Sequence, residues 1–227
     1  MRPDGASRGP RGWGNALVLL AALGACSRGL TPNETALAGA LFGSALDTGA
    51  VRVLVGVGLT PLPEPVIAAT ASPARSAPPD LCVRTLSGKR KFVWPAAFTL
   101  GDHVFFNPRY YLADAARGFP AALPLPASMV LAHELVHVWQ WQNRAQSGYT
   151  ILGTALESAA RVDPYWWQTE STHPFMAFGF EQQAAIIEDF ACFALFDSQN
   201  PKLDELAALL RGVLPVDDFL VGVVARQ

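Results

Sequence analysis

Histidine is scarce in this chain, four in 227 residues, and charge is thin as well, with Asp, Glu, Lys and Arg together making 16%. The usual charged share is about 25%. A formal net charge of -2 leaves no basic excess to meet a phosphate backbone, so no nucleic-acid partner is expected. The apolar run from Ala16 to Leu23 is too short to cross a bilayer. Cysteine occurs only at Cys26, Cys82 and Cys192. What the chain does have is apolar material, 51% of its residues, ample for the core of one domain.

The scarcity of histidine gives weight to the place where two of them meet. Leu131-Ala132-His133-Glu134-Leu135-Val136-His137-Val138-Trp139-Gln140 carries the HExxH spacing. On a helix each residue turns by about 100°, so His133 and His137 project from the same face one turn apart. Two imidazoles so placed can bind one metal ion, here read as Zn²⁺. Glu134, beside the first histidine, would reach a water in the metal's open position rather than the metal itself, which is where a general base is needed. Leu131, Leu135, Val138 and Trp139 fall on the opposite side, which predicts a half-buried helix with a polar ligand face continued by Gln140 and Arg144. Ser128 is the predicted N-cap and Gly148 the predicted end. The compact metzincin arrangement is excluded, because Asn143 stands where its third histidine belongs and Gln140 where its glycine belongs.

Residues 1–25 read as a signal peptide: Arg2, Arg8 and Arg11 precede the apolar run, and small residues follow it. Leu23-Gly24-Ala25-Cys26 resembles the bacterial lipoprotein cleavage box, which predicts Cys26 as a lipid anchor to a membrane. The expected location is then periplasmic or cell-surface, at the outer membrane if the host is proteobacterial, since Ser27 follows the cysteine. Cys82 and Cys192 would remain as an even pair in an oxidising compartment. They can form a disulfide there or equally stay as buried thiols.

Residues 26–227 are expected to form a single domain. Thr31-Pro32-Asn33-Glu34 has the pattern of a capping box with proline at the first helical position, predicting a helix from Pro32 to Leu41 that ends near Gly43. Val51 to Val55 predicts a strand, and the proline-rich stretch 60–80 a surface loop. Leu81–Thr85, Ala97–Leu100 and His103–Phe106 are strand-like and separated by turn signals. The fold class expected is α+β and zincin-like, a small antiparallel sheet packed on the HExxH helix and on a second, glutamate-bearing helix. Tyr149 to Ala160 predicts a further helix, and Leu203 to Gln227 an amphipathic helix with a short tail.

The glutamate-bearing helix is Phe180 to Cys192, where Glu181, Ala185, Glu188 and Cys192 share one stripe, with Asp189 at its margin. A carboxylate there can complete a His-His-Glu site: Glu181 is the first candidate and Glu188, two turns on, the second. His173 is a weaker candidate, in a loop context. Tyr149, Tyr165, His173 and Arg144 are the candidate donors to a transition-state oxyanion.

Leu41-Phe42-Gly43, Val51-Arg52-Val53, Ala132 to Gln140, and Glu181-Gln182-Gln183-Ala184-Ala185-Ile186-Ile187-Glu188-Asp189 together resemble a family of bacterial HExxH zinc metallopeptidase domains of unknown function. These are Vgr-related and associated with contractile injection. The resemblance spans most of residues 30 to 200. It implies a gluzincin-like site with His133, His137 and Glu181 as metal ligands and Glu134 as the catalytic glutamate. Many related glutamate-type peptidases carry an aspartate four residues after the ligand glutamate. Ala185 stands there, leaving Asp189 or another carboxylate to orient a histidine. The function expected is an exported, lipid-anchored peptidase acting on a peptide or protein substrate. The alternative is a non-catalytic, zinc-stabilised binding module of the envelope or of a secretion assembly. Retention of Glu134 favours the enzyme.

Overall fold

The computed structural model describes residues 26–58, 62, 72–73, 80–88, 95–168 and 173–224. The predicted signal peptide and most of the proline-rich stretch 60–80 lie outside the described residues. Strand β1 (Ser27–Arg28) is followed by helix α1 (Pro32–Phe42), whose start is the capping box predicted: Thr31 Oγ1 accepts from Glu34 N, and Glu34 Oε2 accepts from Thr31 N at 2.9 Å. Glu34 is fully buried and also accepts two bonds from the Arg28 guanidinium, at 2.6 and 2.9 Å, and one from Ala115 N. Gly43, at φ 55°, ends the helix where a side chain would be strained. Cys26, the predicted anchor, is buried at the head of β1.

The main sheet joins β1 to β2 (Arg52–Val55), β4 (Ala97–Leu100) and β5 (His103–Phe106) in the order β1-β2-β5-β4. The class is α+β, as expected, but the sheet is mixed rather than antiparallel. Val53 lies opposite Val104 in a parallel β2–β5 pair, while the other two pairs are antiparallel. The reason is topological: the tight β4–β5 turn at Gly101 (φ 63°) leaves β5 inside the sheet and β4 at its edge. The long connection after Val55 supplies the crossover that a parallel pair needs. Ser72–Pro73 (β3) pairs with Ala122–Leu123 (β6) in a separate two-stranded ladder. The strand predicted at Leu81–Thr85 does not form. That segment is irregular, tied to a helix by the Cys82–Cys192 disulfide and by Arg84 instead of pairing with the sheet. In the chain-entropy model a bridge closing so long a loop stabilises by roughly 4–5 kcal/mol.

Helix α2 (Ala127–Gln142) carries the HExxH motif and is the centre of the core. The half-buried helix predicted is corrected here: every residue from Leu131 to Gln140 is buried, because β4 and β5, α1 and a later helix, α5 (Phe180–Phe196), cover different sides of it. Ser128 is not the N-cap. The helix starts earlier, Pro124 O and Pro126 O accepting its first N–H groups, and Ser128 sits inside it. The chain re-enters helix as α3 (Arg144–Ser147), which Gly148 ends at φ 69°, so the predicted stop holds one element later.

Thr150 caps α4 (Ile151–Ala160), and α5 (Phe180–Phe196) packs along α2. The single C-terminal helix predicted is two, α6 (Pro201–Leu210) and α7 (Val216–Val224), with Leu203, Leu206, Leu210, Phe219 and Val223 in the core. Among the described residues, no helix is long and apolar enough to cross a membrane.

Candidate metal centre

His133 and His137 stand one turn apart on α2, ring centroids 5.1 Å apart. The Nε2 atom of each lies 3.3 Å from the same atom, Glu181 Oε2. Ligand atoms of these three residues all fall within 4.8 Å of one another, and all three residues are buried. Glu181 is held there by the start of α5. Gly179 is the N-cap, and a Cβ on it would collide with the Glu157 carboxylate, which takes the Phe180 N–H at 2.7 Å. Ser158 Oγ donates to Glu181 Oε1 at 3.0 Å, leaving Oε2 toward the imidazoles.

The other ring nitrogens are occupied, and this settles which way each ring points. His137 Nδ1 lies 2.9 Å from Gln140 Oε1. Gln140 Nε2 is committed to two acceptors, Phe180 O at 3.1 Å and Gln183 Oε1 at 3.0 Å, so its oxygen must be the atom that faces the imidazole and takes the Nδ1 proton. His133 Nδ1 lies 3.1 Å from Glu188 Oε2, and Arg84 Nη2 meets the same oxygen at 3.0 Å. Glu188, the second candidate ligand, is therefore on the far nitrogen of His133 rather than in the cluster. It takes the orienting place that Ala185 leaves empty. Asp189 is engaged elsewhere, by Arg84 and by Trp167 Nε1.

The cluster opens into a cleft of about 370 Å³ lined by Ala97 to Leu100 of β4, by Glu134, Tyr149 and Tyr165, and by Ile151, Thr154 and Ala155 of α4. Glu134 is 5% exposed and accepts from Thr99 Oγ1 at 2.8 Å. Of the four candidate oxyanion donors, the fold brings two here: Tyr149, its ring 6.2 Å from that of His137, and Tyr165, 5.5 Å from that of His133. Arg144 stacks on Trp141 instead, and His173 lines a different cleft. Thr99, Ser158, Gln183 and Arg84 carried no sequence signal for a role here. Each acts through a contact made only in the folded chain.

Electrostatics follow from this crowding. Burial pulls the His133 imidazolium down, but hydrogen bonds to Glu181 and Glu188 outweigh it and push its pKa up to about 10. His137 rises too, burial being outweighed by the Glu181 charge and hydrogen bond, while the two imidazoles hold Glu181 well below the carboxylate range against its own desolvation. Desolvation lifts Glu134, with the histidines and Thr99 opposing. Tyr149 and Tyr165 are both raised, chiefly by burial, so each keeps its O–H as a donor. Two imidazole nitrogens and one carboxylate oxygen, converging in a buried pocket, form a donor set that a metal ion could occupy by displacing the protons held there.

No family model and no curated protein matches this sequence. Among solved structures, its fold is similar to that of the effector domain of Pseudomonas aeruginosa VgrG2b, with a TM-score of 0.51 and 20% identity, over 87% of this chain and 97% of that one.

Proposed function

We propose that this chain is a zinc-dependent peptidase in which His133, His137 and Glu181 hold the metal and Glu134 is the general base. The observation that carries the reading is the convergence of both Nε2 atoms on Glu181 Oε2, with a separate carboxylate, Glu134, held by Thr99 beside them in an open cleft. A structural metal site closes its fourth position and has no use for such a glutamate. Zinc bound there would polarise the scissile carbonyl and lower the pKa of the attacking water. Glu134, oriented by Thr99 and lifted by burial, takes the water's proton and passes it to the leaving amine. A phenol from Tyr149 or Tyr165 donates to the developing oxyanion.

The position of β4 supports a peptide substrate. Among the described residues it is the edge strand of its sheet and forms one wall of the cleft, so its outer side can take an extended chain as an added strand. The Cys82–Cys192 bond supports an oxidising, exported location. The likeness to an effector domain supports a secretion-associated role. Lipidation at Cys26 belongs to the same reading, and because its thiol is buried at the head of β1, that end of the chain would have to turn outward to carry the lipid.

The test is metal content and hydrolysis of a broad peptide library by the purified chain, beside Glu134→Gln and Glu181→Gln. One zinc per chain is expected in the wild type and in Glu134→Gln, with activity lost in that variant and zinc lost in Glu181→Gln. Zinc without any hydrolysis would favour the binding module, and a wild type that takes up no metal would sink the reading.

A further inference from the structure

The segment from Asp80 to Gly88 has neither strand nor helix to hold it, and its Leu81, Val83 and Leu86 are exposed. Burial therefore anchors it weakly. It is tied to the body by the Cys82–Cys192 bond, by the Arg84 guanidinium on Glu188 and Asp189 at 3.0 and 2.8 Å, and by Ser87 N donating to Asp163 at 2.9 Å. Arg84 lies two residues from the half-cystine, so the covalent bond decides where its guanidinium can reach. On α5, Cys192 stands one turn beyond Glu188 on the same stripe. Disulfide, arginine, Glu188 and the Nδ1 atom of His133 thus form one continuous line into the metal cluster.

We propose that Arg84 is a positioning residue for the metal centre and that the Cys82–Cys192 bond latches it, so that the site holds its metal tightly only while that bond is intact. This rests on the metal reading above. Arg84 both orients the Glu188 carboxylate and balances its charge. Without it, Glu188 swings free of His133 Nδ1, and the ring is no longer fixed with Nε2 toward Glu181.

Both half-cystines are buried, 6% and 5% exposed, but their bond lies close under the surface. Surface clefts of about 270 and 200 Å³ border it, the first lined by both cysteines and the second by Cys82. A low-molecular-weight thiol can open it in two exchanges. One thiolate attacks a sulfur, breaking the S–S bond and forming a mixed disulfide. A second thiolate displaces the remaining cysteine, so the two RSH become RSSR and both their protons end on Cys82 and Cys192. In a reducing compartment the chain would then hold its metal weakly, and in an oxidising one the reverse exchange with a low-molecular-weight disulfide, RSSR leaving as two RSH, would close the latch.

The test measures Zn²⁺ affinity by competition with a chromophoric chelator, and the visible absorption of the Co²⁺-loaded form, on the full oxidised chain. The variants are Arg84→Ala, Arg84→Lys, the pair Cys82→Ser with Cys192→Ser, and that pair combined with Arg84→Ala. Arg84→Ala and the serine pair are each expected to weaken zinc by about ten- to a hundredfold, as loss of an orienting partner does, and to alter the cobalt spectrum. Arg84→Lys should recover most of the affinity, and the combined variant should be no weaker than the serine pair.

Wild-type affinity and spectrum in Arg84→Ala would overturn the positioning role. A weakened Arg84→Ala beside a serine pair of wild-type affinity would overturn the latch. Should the serine pair fail to fold, zinc release from folded wild type is followed during phosphine reduction. Release ahead of the loss of far-ultraviolet dichroism is expected, and release only with unfolding would overturn the latch. Failure of the wild type to bind any metal would instead count against the site itself.

Discussion

Gln140 is the most tightly specified polar side chain of the centre, and replacing it by leucine separates what it does for the fold from what it does for the metal. It is fully buried, and its carboxamide serves two buried partners, the His137 Nδ1–H and Gln183 Oε1, and a half-buried one, Phe180 O. Leucine has nearly the same volume and serves none of them. Leaving a buried polar group without a partner costs about 1–3 kcal/mol, and the apolar side chain returns roughly 1.5–3 kcal/mol. Three partners left unpaired at about 2 kcal/mol each, less about 2 kcal/mol returned, give an expected net loss of about 4 kcal/mol. Urea unfolding of the metal-free chain reads it as a lower midpoint at unchanged slope.

The His137 ring also loses the acceptor that selects its tautomer, so zinc affinity should fall by about ten- to a hundredfold. Gln140→Glu is the discriminating companion: it restores the acceptor for His137 but cannot donate to Phe180 and Gln183. Its stability should fall while its zinc affinity stays near wild type. Gln140→Leu within about 0.5 kcal/mol of wild type, with zinc binding unchanged, would refute the reasoning.

Three further outcomes are expected. Glu34→Ala takes from the Arg28 guanidinium its carboxylate, leaving it only Gly29 O, Leu112 O and Tyr111 Oη, and strips the N–H groups of Thr31 and Ala115 of their acceptor, and should cost about 3 kcal/mol in urea unfolding while leaving metal content untouched. In the metal-free chain His133 is protonated up to a pKa of about 10 and His137 is also raised, so bound protons compete with zinc at neutral pH. Apparent affinity should therefore rise with pH toward 10 and fall on acidification; calorimetry in buffers of different ionisation enthalpy would show proton release, and proton-neutral uptake at pH 7 would contradict it. Tyr165→Phe should lower kcat on a peptide substrate by about 10²-fold with KM little changed, since this ring faces His133 across the cleft; unchanged kcat would remove Tyr165 as the oxyanion donor.

The elements legible in the sequence are those written by short-range geometry. The capping box at Thr31 and Glu34, the strand Arg52–Val55, the Gly101 turn between β4 and β5, and the i, i+4 pairing of His133 with His137 depend on residues within one turn or one hairpin. Glu181 was legible as a candidate because the HExxH spacing calls for a third ligand and a helix stripe offered one, and the fold does bring it to both imidazoles. The strand assigned to Leu81–Thr85 failed for the opposite reason. Its alternation is real, but Cys82 and Arg84 spend their side chains on α5, a partner more than a hundred residues away.

By itself, then, the sequence determined the shared face of His133 and His137, the carboxylate of Glu134 beside them, the start of the helix capped by Thr31 and the α+β class, because each follows from periodicity or from a local hydrogen bond. Tertiary structure alone decided that α2 is buried on every side, that β2 and β5 run parallel, that Glu188 orients a histidine instead of joining Glu181, and that Tyr149 and Tyr165, not Arg144 or His173, face the cleft. These depend on which surfaces meet, and chain order does not encode that until apolar burial has packed α2 between the sheet and α5.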